Sequence, residues 1–415
     1  MDNRRVVIVD YVYDFPNKGE LFNHDIEPWI EDKDKILKKR MDEMERIHHQ
    51  KFEEYGHSFD GVFYPSIDEV FKLDHIPDGK KQLLLSSEKI TLSLFQRLLD
   101  RNEFQRKSQL LLTVGTANTD SHAKSTLMNI HAAELQDSFD LADPLGYLKL
   151  LKVNHSYALQ SVSEASTSGI GALHHAYLKI KSGDIDCAIT GGSSAITFPV
   201  PFEFSHFGRG KERFIRPFEQ DASGHFFSEG GAAFLIKERQ QALQDGDSIL
   251  GEISDISFGP MGNAIINRHA VKNIVFRSFE RAGLYEKSHV FLELYGRGNE
   301  IDDSAEFSCL RNIKKKFPYV KGGFLKEKVG YVIGYYGFMG LCRLLDSKKQ
   351  GVSLQGSPIH EPIQSIPAAD EEIWTRDAEK YDAVSALFYS MHGNSYNLLM
   401  KFDDHSDVTD WREER

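Results

Sequence analysis

The sequence predicts an α/β protein with one large shared core. Three observations carry this. Strand-like apolar runs alternate with helix-length stretches in both halves of the chain. Hydrophobic residues make up 40% and aromatics 11%, enough to fill a large interior and to exclude wholesale disorder. No Pro- or Ser-rich linker interrupts the 415 residues, so the halves are expected to share a continuous core.

Taken in order, residues 5–10 (R-V-V-I-V-D) form a short β-branched run that reads as a buried strand. Residues 32–56 are charge-dense, with Ile36, Leu37, Met41, Met44, Ile47 and Phe52 at three-to-four spacing, which predicts an amphipathic helix with a solvated outer face. Residues 91–101 read as a helix, and 109–114 as a strand running into Gly115-Thr116. The most regular region, 159–192, predicts strand–helix–strand. The small-residue stretch Ala165-Ser166-Thr167-Ser168-Gly169 leads into a helix with the face Ile170, Leu173, Tyr177 and Ile180, and Gly183 stops it. Residues 186–190, 232–236, 248–256 and 289–294 read as strands, and 384–388 with 396–402 as an antiparallel hairpin. The polar stretch 405–415 is expected to fray.

The net charge is −12, and an acidic surface repels phosphate backbones, so no nucleic-acid partner is expected. A local basic patch would still suit an acidic partner. Cys187, Cys309 and Cys342 make neither a disulfide framework nor a zinc spacing, which predicts a reducing, cytoplasmic compartment. No signal-like segment and no run of about 18 apolar residues occurs, so no membrane span is expected. Metal and nucleotide motifs are absent, and Gly296-x-Gly298 is too short to mark a nucleotide site, so neither metal nor cofactor is expected.

Ser166 stands at the junction of a strand and a helix, where the helix dipole and nearby N–H groups favour an oxyanion; the same pattern also describes a helix N-cap. His174-His175 point about 100° apart on their helix and cannot chelate one metal together, so one packs and one faces water; His48-His49 reads alike. Tyr295 and Tyr331 read as packing residues with a hydrogen bond at the tip, since a phenol with a pKa near 10 makes a poor base at neutrality. Asp302, Asp303 and Glu306 read as a solvated helix start.

Five segments in register resemble the β-ketoacyl synthases, over residues 105–402. Val162-Ser163-Glu164-Ala165-Ser166-Thr167-Ser168-Gly169 resembles the nucleophile turn V-[DS]-[TA]-A-C-[SA]-[ST]. Residues 182–192 resemble S-G-x-x-D-x-A-[IL]-x-G-G. Residues 216–219, Gly224 and 228–232 resemble R-P-F-D…G…G-E-G-A. Lys326-Glu327-Lys328-Val329-Gly330-Tyr331 resembles K-[ST]-x-[IL]-G-H, and 388–394 the F-G-F-G-G-T-N loop. The resemblance implies a thiolase-like fold of two similar halves, 1–250 and 251–415, in a layered α-β-α-β-α core. It also implies dimerisation through sheet edges and an acyl carrier protein whose phosphopantetheine arm delivers an acyl chain.

The resemblance places the family's Cys-His-His triad on Ser166, Tyr295 and Tyr331, so all three catalytic side chains are replaced, while Lys326 and the structural Glu229 are kept. The pocket-gating Phe falls on Ser390 and the double Gly on Met391-His392. A Ser hydroxyl needs a base to become a good nucleophile, and a phenol serves poorly in that role, so ordinary Claisen condensation is not expected. Three readings follow. One is a non-condensing subunit, like a chain-length factor, paired as a heterodimer with a catalytic ketosynthase. Another is a malonyl-carrier-protein decarboxylase of the Cys-to-Ser type, with His392 compensating for the lost histidines. The third is an acyltransferase or acyl-binding scaffold using Ser166, as a homodimer.

Overall fold

Leu110-Leu111-Leu112 offers no polar face, so a strand built on it must be covered on both sides. In the computed structural model that strand, Leu110–Gly115, is buried at every position. The structure describes residues 4–16, 61–62, 64, 67–105, 108–117, 124, 141, 143–195, 216–220, 222, 227–262, 266–325, 329–350, 359, 361–366, 381–390 and 393–402. The helix expected over 32–56, His48-His49 and the stretch 405–415 lie outside these residues.

The elements are, in chain order, β1 (Val6–Asp14), β2 (Gly61–Val62), α1 (Ser86–Arg101), β3 (Leu110–Gly115), β4 (Tyr157–Val162), α2 (Ser168–Ser182), β5 (Cys187–Ser194), β6 (Phe227–Ser228), β7 (Gly230–Glu238), α3 (Arg239–Asp245), β8 (Gly251–Pro260), α4 (Arg268–Arg281), β9 (Val290–Glu293), α5 (Glu300–Lys316), β10 (Val320–Gly323), α6 (Tyr336–Gln350), β11 (Ala383–Tyr389) and β12 (Asn394–Lys401). Short two- to five-residue turns fill some of the intervals. Ten strands form one sheet in the order β10-β9-β11-β12-β8-β1-β7-β5-β3-β4.

That order contains one pattern twice. Away from the middle, the strands run β1-β7-β5-β3-β4 on one side and β8-β12-β11-β9-β10 on the other. In both, the outer three strands are parallel and the inner two antiparallel to their neighbours. The seam is a short antiparallel ladder in which Val6, Val7 and Ile8 face Ile253, Glu252 and Gly251.

Helices cover the sheet in layers. Ile90, Leu94, Phe95 and Leu98 of α1 pack with Val7, Ile189 and Leu235 on the outer face of the first half. Between the halves lie α2 and α6, where Ile170 and Leu173 share a core with Phe234, Phe338 and Leu341. The second half is covered by α4 and α5 through Val271, Ile274, Phe279, Leu310 and Ile313. This is the helix–sheet–helix–sheet–helix arrangement of the thiolase fold. The expected strand–helix–strand unit is present as β4, α2 and β5, and Gly183 ends α2 in the left-handed conformation at φ 83°. The expected hairpin is β11 and β12, paired antiparallel.

Candidate active site

Three parallel-strand ends deliver the candidate residues to one place. Ser166 follows β4, Tyr295 follows β9, and Tyr331 follows β10. Ligand sites of α/β sheets lie at such carboxyl ends of strands.

Ser166 sits in a tight turn, Ala165–Thr167, between β4 and α2. Ala165 is held at φ 49°, a left-handed conformation that a non-glycine residue adopts only under constraint. The constraint is local: Ser168 Oγ accepts from the Glu164 N–H at 2.9 Å and donates to the Ala165 carbonyl at 2.7 Å. Ser166 is therefore not the helix cap that its sequence also suggested. The capping position is Thr167, and Ser166 points elsewhere.

Gly169 explains how Tyr331 reaches Ser166. A Cβ at Gly169 would stand 2.7 Å from the Gly334 carbonyl oxygen, and the Gly169 N–H donates to that oxygen at 3.2 Å. The loop leading into α6 is thereby held against the start of α2. From it, the Tyr331 hydroxyl donates to Ser166 Oγ at 2.6 Å, and the Tyr295 hydroxyl donates to Tyr331 Oη at 3.1 Å. Tyr295, Tyr331 and Ser166 thus form a continuous hydroxyl chain. Both tyrosines are buried, whereas Ser166 is half-buried. Tyr336 and Tyr389 pack edge-on against the Tyr295 ring with centroids 5.6 and 5.2 Å away.

Burial raises the Tyr295 phenol well above its ordinary value, and the neighbouring Tyr331 hydroxyl adds to this. Tyr295 therefore remains a donor at any ordinary pH. Among the described residues, the hydrogen bond to the Ser166 hydroxyl comes from Tyr331, and no imidazole or carboxylate takes the serine proton. The arrangement passes hydrogen bonds from Tyr295 through Tyr331 to Ser166, and among the described residues it supplies no base to generate an alkoxide.

The acidic cluster corrects the expectation placed on it. Asp302, Asp303 and Glu306 begin α5, but all three are buried rather than solvated. Glu306 accepts from the N–H groups of Tyr295 at 2.8 Å and Gly296 at 2.9 Å. Asp303 accepts from the N–H groups of Gly298 at 3.1 Å and Phe218 at 2.9 Å. Asp302 pairs with the buried Arg297 guanidinium at 2.8 Å and accepts from the Ile266 N–H at 2.8 Å. The physical reason is that the loop 295–299 turns sharply, with Gly296 at φ 54°, and leaves inward-facing N–H groups that need acceptors. Carboxylates four, five and eight residues after Gly296-x-Gly298 were the signal available in the sequence.

Of the remaining candidates, Ser390 is buried at the end of β11 beside Tyr389, and its N–H donates to the Asn394 carbonyl at 3.0 Å, closing the hairpin. Lys326 and His392 lie outside the described residues. Glu229 is buried and accepts from the Tyr64 N–H at 3.1 Å. His174 packs on Phe258 and Tyr396, while His175 is exposed, as expected of the pair. Cys187, Cys309 and Cys342 are buried and not joined in disulfides. Among the described residues, no His, Cys, Asp or Glu group is arranged to hold a metal, and no helix is long and apolar enough to cross a membrane.

The fold is the thiolase fold, and part of the chain is similar to β-ketoacyl synthases. Residues 157–242 match the family described as β-ketoacyl synthase, N-terminal domain. The chain is 30% identical over 223 residues to polyketide synthase PksM of Bacillus subtilis, covering 51% of this chain and 5% of that protein. It is 27% identical over 211 residues to the non-reducing polyketide synthase pkiA of Emericella nidulans, covering 47% and 8% respectively. It thus spans less than a tenth of either relative. A β-ketoacyl synthase from Burkholderia phymatum superposes with a TM-score of 0.73 at 15% identity, covering 96% of this chain and 99% of that one. The ishigamide ketosynthase/chain length factor superposes with a TM-score of 0.70 at 17% identity, covering 96% and 99%.

Proposed function

We propose that the chain is a non-condensing ketosynthase-like subunit that binds a carrier-protein-delivered acyl chain and completes the acyl pocket of a catalytic ketosynthase, as a chain-length factor does. The observation that carries this is the hydroxyl chain Tyr295–Tyr331–Ser166 in place of Cys-His-His. Ser166 receives a proton donor where a nucleophile requires a proton acceptor. A Claisen condensation needs a thiolate-like nucleophile and neutral imidazole donors for the enolate, and among the described residues neither role is filled. The free hydrogen of Ser166 is suited to donate to a thioester carbonyl, so acyl binding without acyl transfer is the chemistry left.

The two halves, 1–250 and 251–415, serve as the two similar units of this subunit. Its partner surface is β4, which ends the sheet order beside Ser166 and exposes Ala158 and Ser161. A partner strand added to this edge would extend the ladder and bring a second subunit to the pocket. Carrier protein and partner are cytoplasmic in this reading.

The test is intact-protein mass spectrometry of malonyl-loaded carrier protein incubated with the purified chain and with Ser166→Ala. No loss of CO2 and no acyl transfer above the enzyme-free rate is expected from either. Ser166-dependent CO2 loss would overturn the non-catalytic reading and make the chain a decarboxylase. Acyl-serine formation would make it an acyltransferase.

A further inference from the structure

We propose that Glu164 and Tyr396 are a pair of positioning residues that tie the Ser166 turn to the second half of the molecule and set the hydrogen bond between Ser166 and Tyr331. This deepens the function proposed above and rests on its reading of Ser166 as the donor to a bound acyl group.

The need for a tie comes from where the turn hangs. β4, which leads into it, is an outermost strand of the sheet, paired along one side with β3. The turn is wound tightly on its own atoms: the Thr167 N–H and hydroxyl both donate to the Glu164 carbonyl, at 3.1 and 2.9 Å, and Ala165 is kept at φ 49° between them. These bonds fix the shape of the turn. They do not fix where it stands relative to the loop that carries Tyr331 from the second half. The Gly169 contact with Gly334 ties the far side of the turn to that loop. One point of attachment leaves a pivot, and a second sets an orientation.

Glu164 supplies the second point, at the end of β4. The Tyr396 hydroxyl on β12 donates to its carboxylate Oε2 at 2.8 Å, a charge-assisted bond from one half to the other. Both partners are seated. A Cβ at Gly171 would stand 2.9 Å from Glu164 Oε2, so α2 carries glycine where the carboxylate lies against it. The buried Tyr396 ring is flanked by Phe258 and His174, with centroids 5.2 and 5.5 Å away, which aims its hydroxyl. Burial, and then the bond to Glu164, raise this phenol above its ordinary value, so it remains a donor through neutrality. Tyr396 also stands opposite Phe388, two residues before Ser390, so the same hairpin carries another motif position to the turn. The nucleophile-turn pattern that residues 162–169 resemble has Thr or Ala at the position of Glu164, and neither side chain is long enough to make this bond. Released at Glu164, the turn pivots on the Gly169 contact, and Ala165 is free to leave its left-handed conformation.

The test is nuclear magnetic resonance of the full chain with tyrosine isotopically labelled at Cζ. The Tyr331 signal is assigned by its loss in Tyr331→Phe, and its displacement in Ser166→Ala reports the hydrogen bond to Ser166. Glu164→Ala and Tyr396→Phe are each expected to displace it toward its Ser166→Ala position, and the double variant no further than either. Glu164→Gln keeps a carbonyl acceptor and should leave the signal near the parent position. Glu238→Ala is the control: it removes a carboxylate that caps α3 by accepting from the Gln241 N–H at 2.9 Å, at the far end of β7 from the site, and should not move the signal. Circular dichroism checks that each variant is folded. Both displacing variants should also weaken binding of an amide analogue of an acyl-pantetheine thioester about fivefold, as loss of one neutral hydrogen bond does. An unmoved Tyr331 signal in either variant would overturn the proposal. So would an equal displacement by Glu238→Ala, which would make the effect a general loss of stability, or by Glu164→Gln, which would make it an effect of charge alone. A parent chain that does not bind the analogue, with the displacements as expected, would overturn the acyl-binding reading and leave the positioning pair standing.

Discussion

Glu306 is the residue whose removal should most disturb the candidate site. Its fully buried carboxylate accepts from the N–H groups of Tyr295 and Gly296 at 2.8 and 2.9 Å. Glu306→Ala removes both acceptors and leaves two buried N–H groups unsatisfied. Each such group costs about 1–3 kcal/mol, so a destabilisation of about 4 kcal/mol is expected. For a chain of this size that corresponds to a fall of about 5 °C in the unfolding midpoint. Glu306→Gln keeps one carbonyl acceptor but turns an NH2 toward the other N–H, and should cost about half as much. Urea unfolding followed by circular dichroism measures both variants. Pairing Glu306→Ala with Tyr331→Phe tests coupling, because the clamp positions Tyr295 behind Tyr331. A Glu306→Ala variant within about 1 kcal/mol of the parent would refute the clamp, since this is less than one lost charge-assisted bond. So would a Gln variant as unstable as the Ala variant.

Further predictions address the site chemistry and the core. A fluorophosphonate probe should give no adduct at Ser166 by intact mass, because no described residue accepts its proton; an adduct would show an activated serine. Burial raises the phenols of Tyr295, Tyr336 and Tyr389 well above their ordinary value of 10.0. A group whose folded pKa is raised contributes stability below its unfolded pKa and loses it as the pH climbs, so stability should be flat through neutrality and fall above pH about 10. Unfolding midpoints measured between neutral and strongly alkaline pH check this, and a flat profile throughout would contradict it. The Cys187 and Cys309 thiols are pushed up to about 12 by burial, so neither should react with a thiol reagent in the native protein at mildly alkaline pH. Gly192→Ala should cost about 3 kcal/mol. Its Cβ would run into the Tyr335 hydroxyl, at a residue with φ 144°, and thermal denaturation reads the loss.

The fold was legible where the sequence has a single period. The strand–helix–strand unit around Ser166 and the closing hairpin were readable because alternation, helical spacing and Gly183 agree there. β10 carries only V-K-G-G, too short to alternate, and α6 is buried throughout Tyr336–Leu345 because it lies between two sheet halves, so most of its polar residues gather at its carboxyl end. The duplicated strand order is a property of pairing and is invisible in local sequence. Within the site, the convergence of Ser166, Tyr295 and Tyr331 followed from resemblance rather than from periodicity. The acid cluster was misread as solvated because helix-start carboxylates usually are. What reverses the expectation is the sharp turn at Gly296, whose inward N–H groups exist only in three dimensions.

The hydroxyl chain also fixes how the candidate site responds to its surroundings. Imidazoles change charge within the physiological range and carry local acidity into whatever they touch. A line of alcohol and phenol groups, with Tyr295 locked in its neutral form, has no such sensitivity. If the proposed acyl binding holds, the polarity offered to a thioester there would not change with pH around neutrality. Ser166, Tyr331 and Tyr295 form a fixed line of hydrogen-bond donors across the range in which an imidazole would switch its charge.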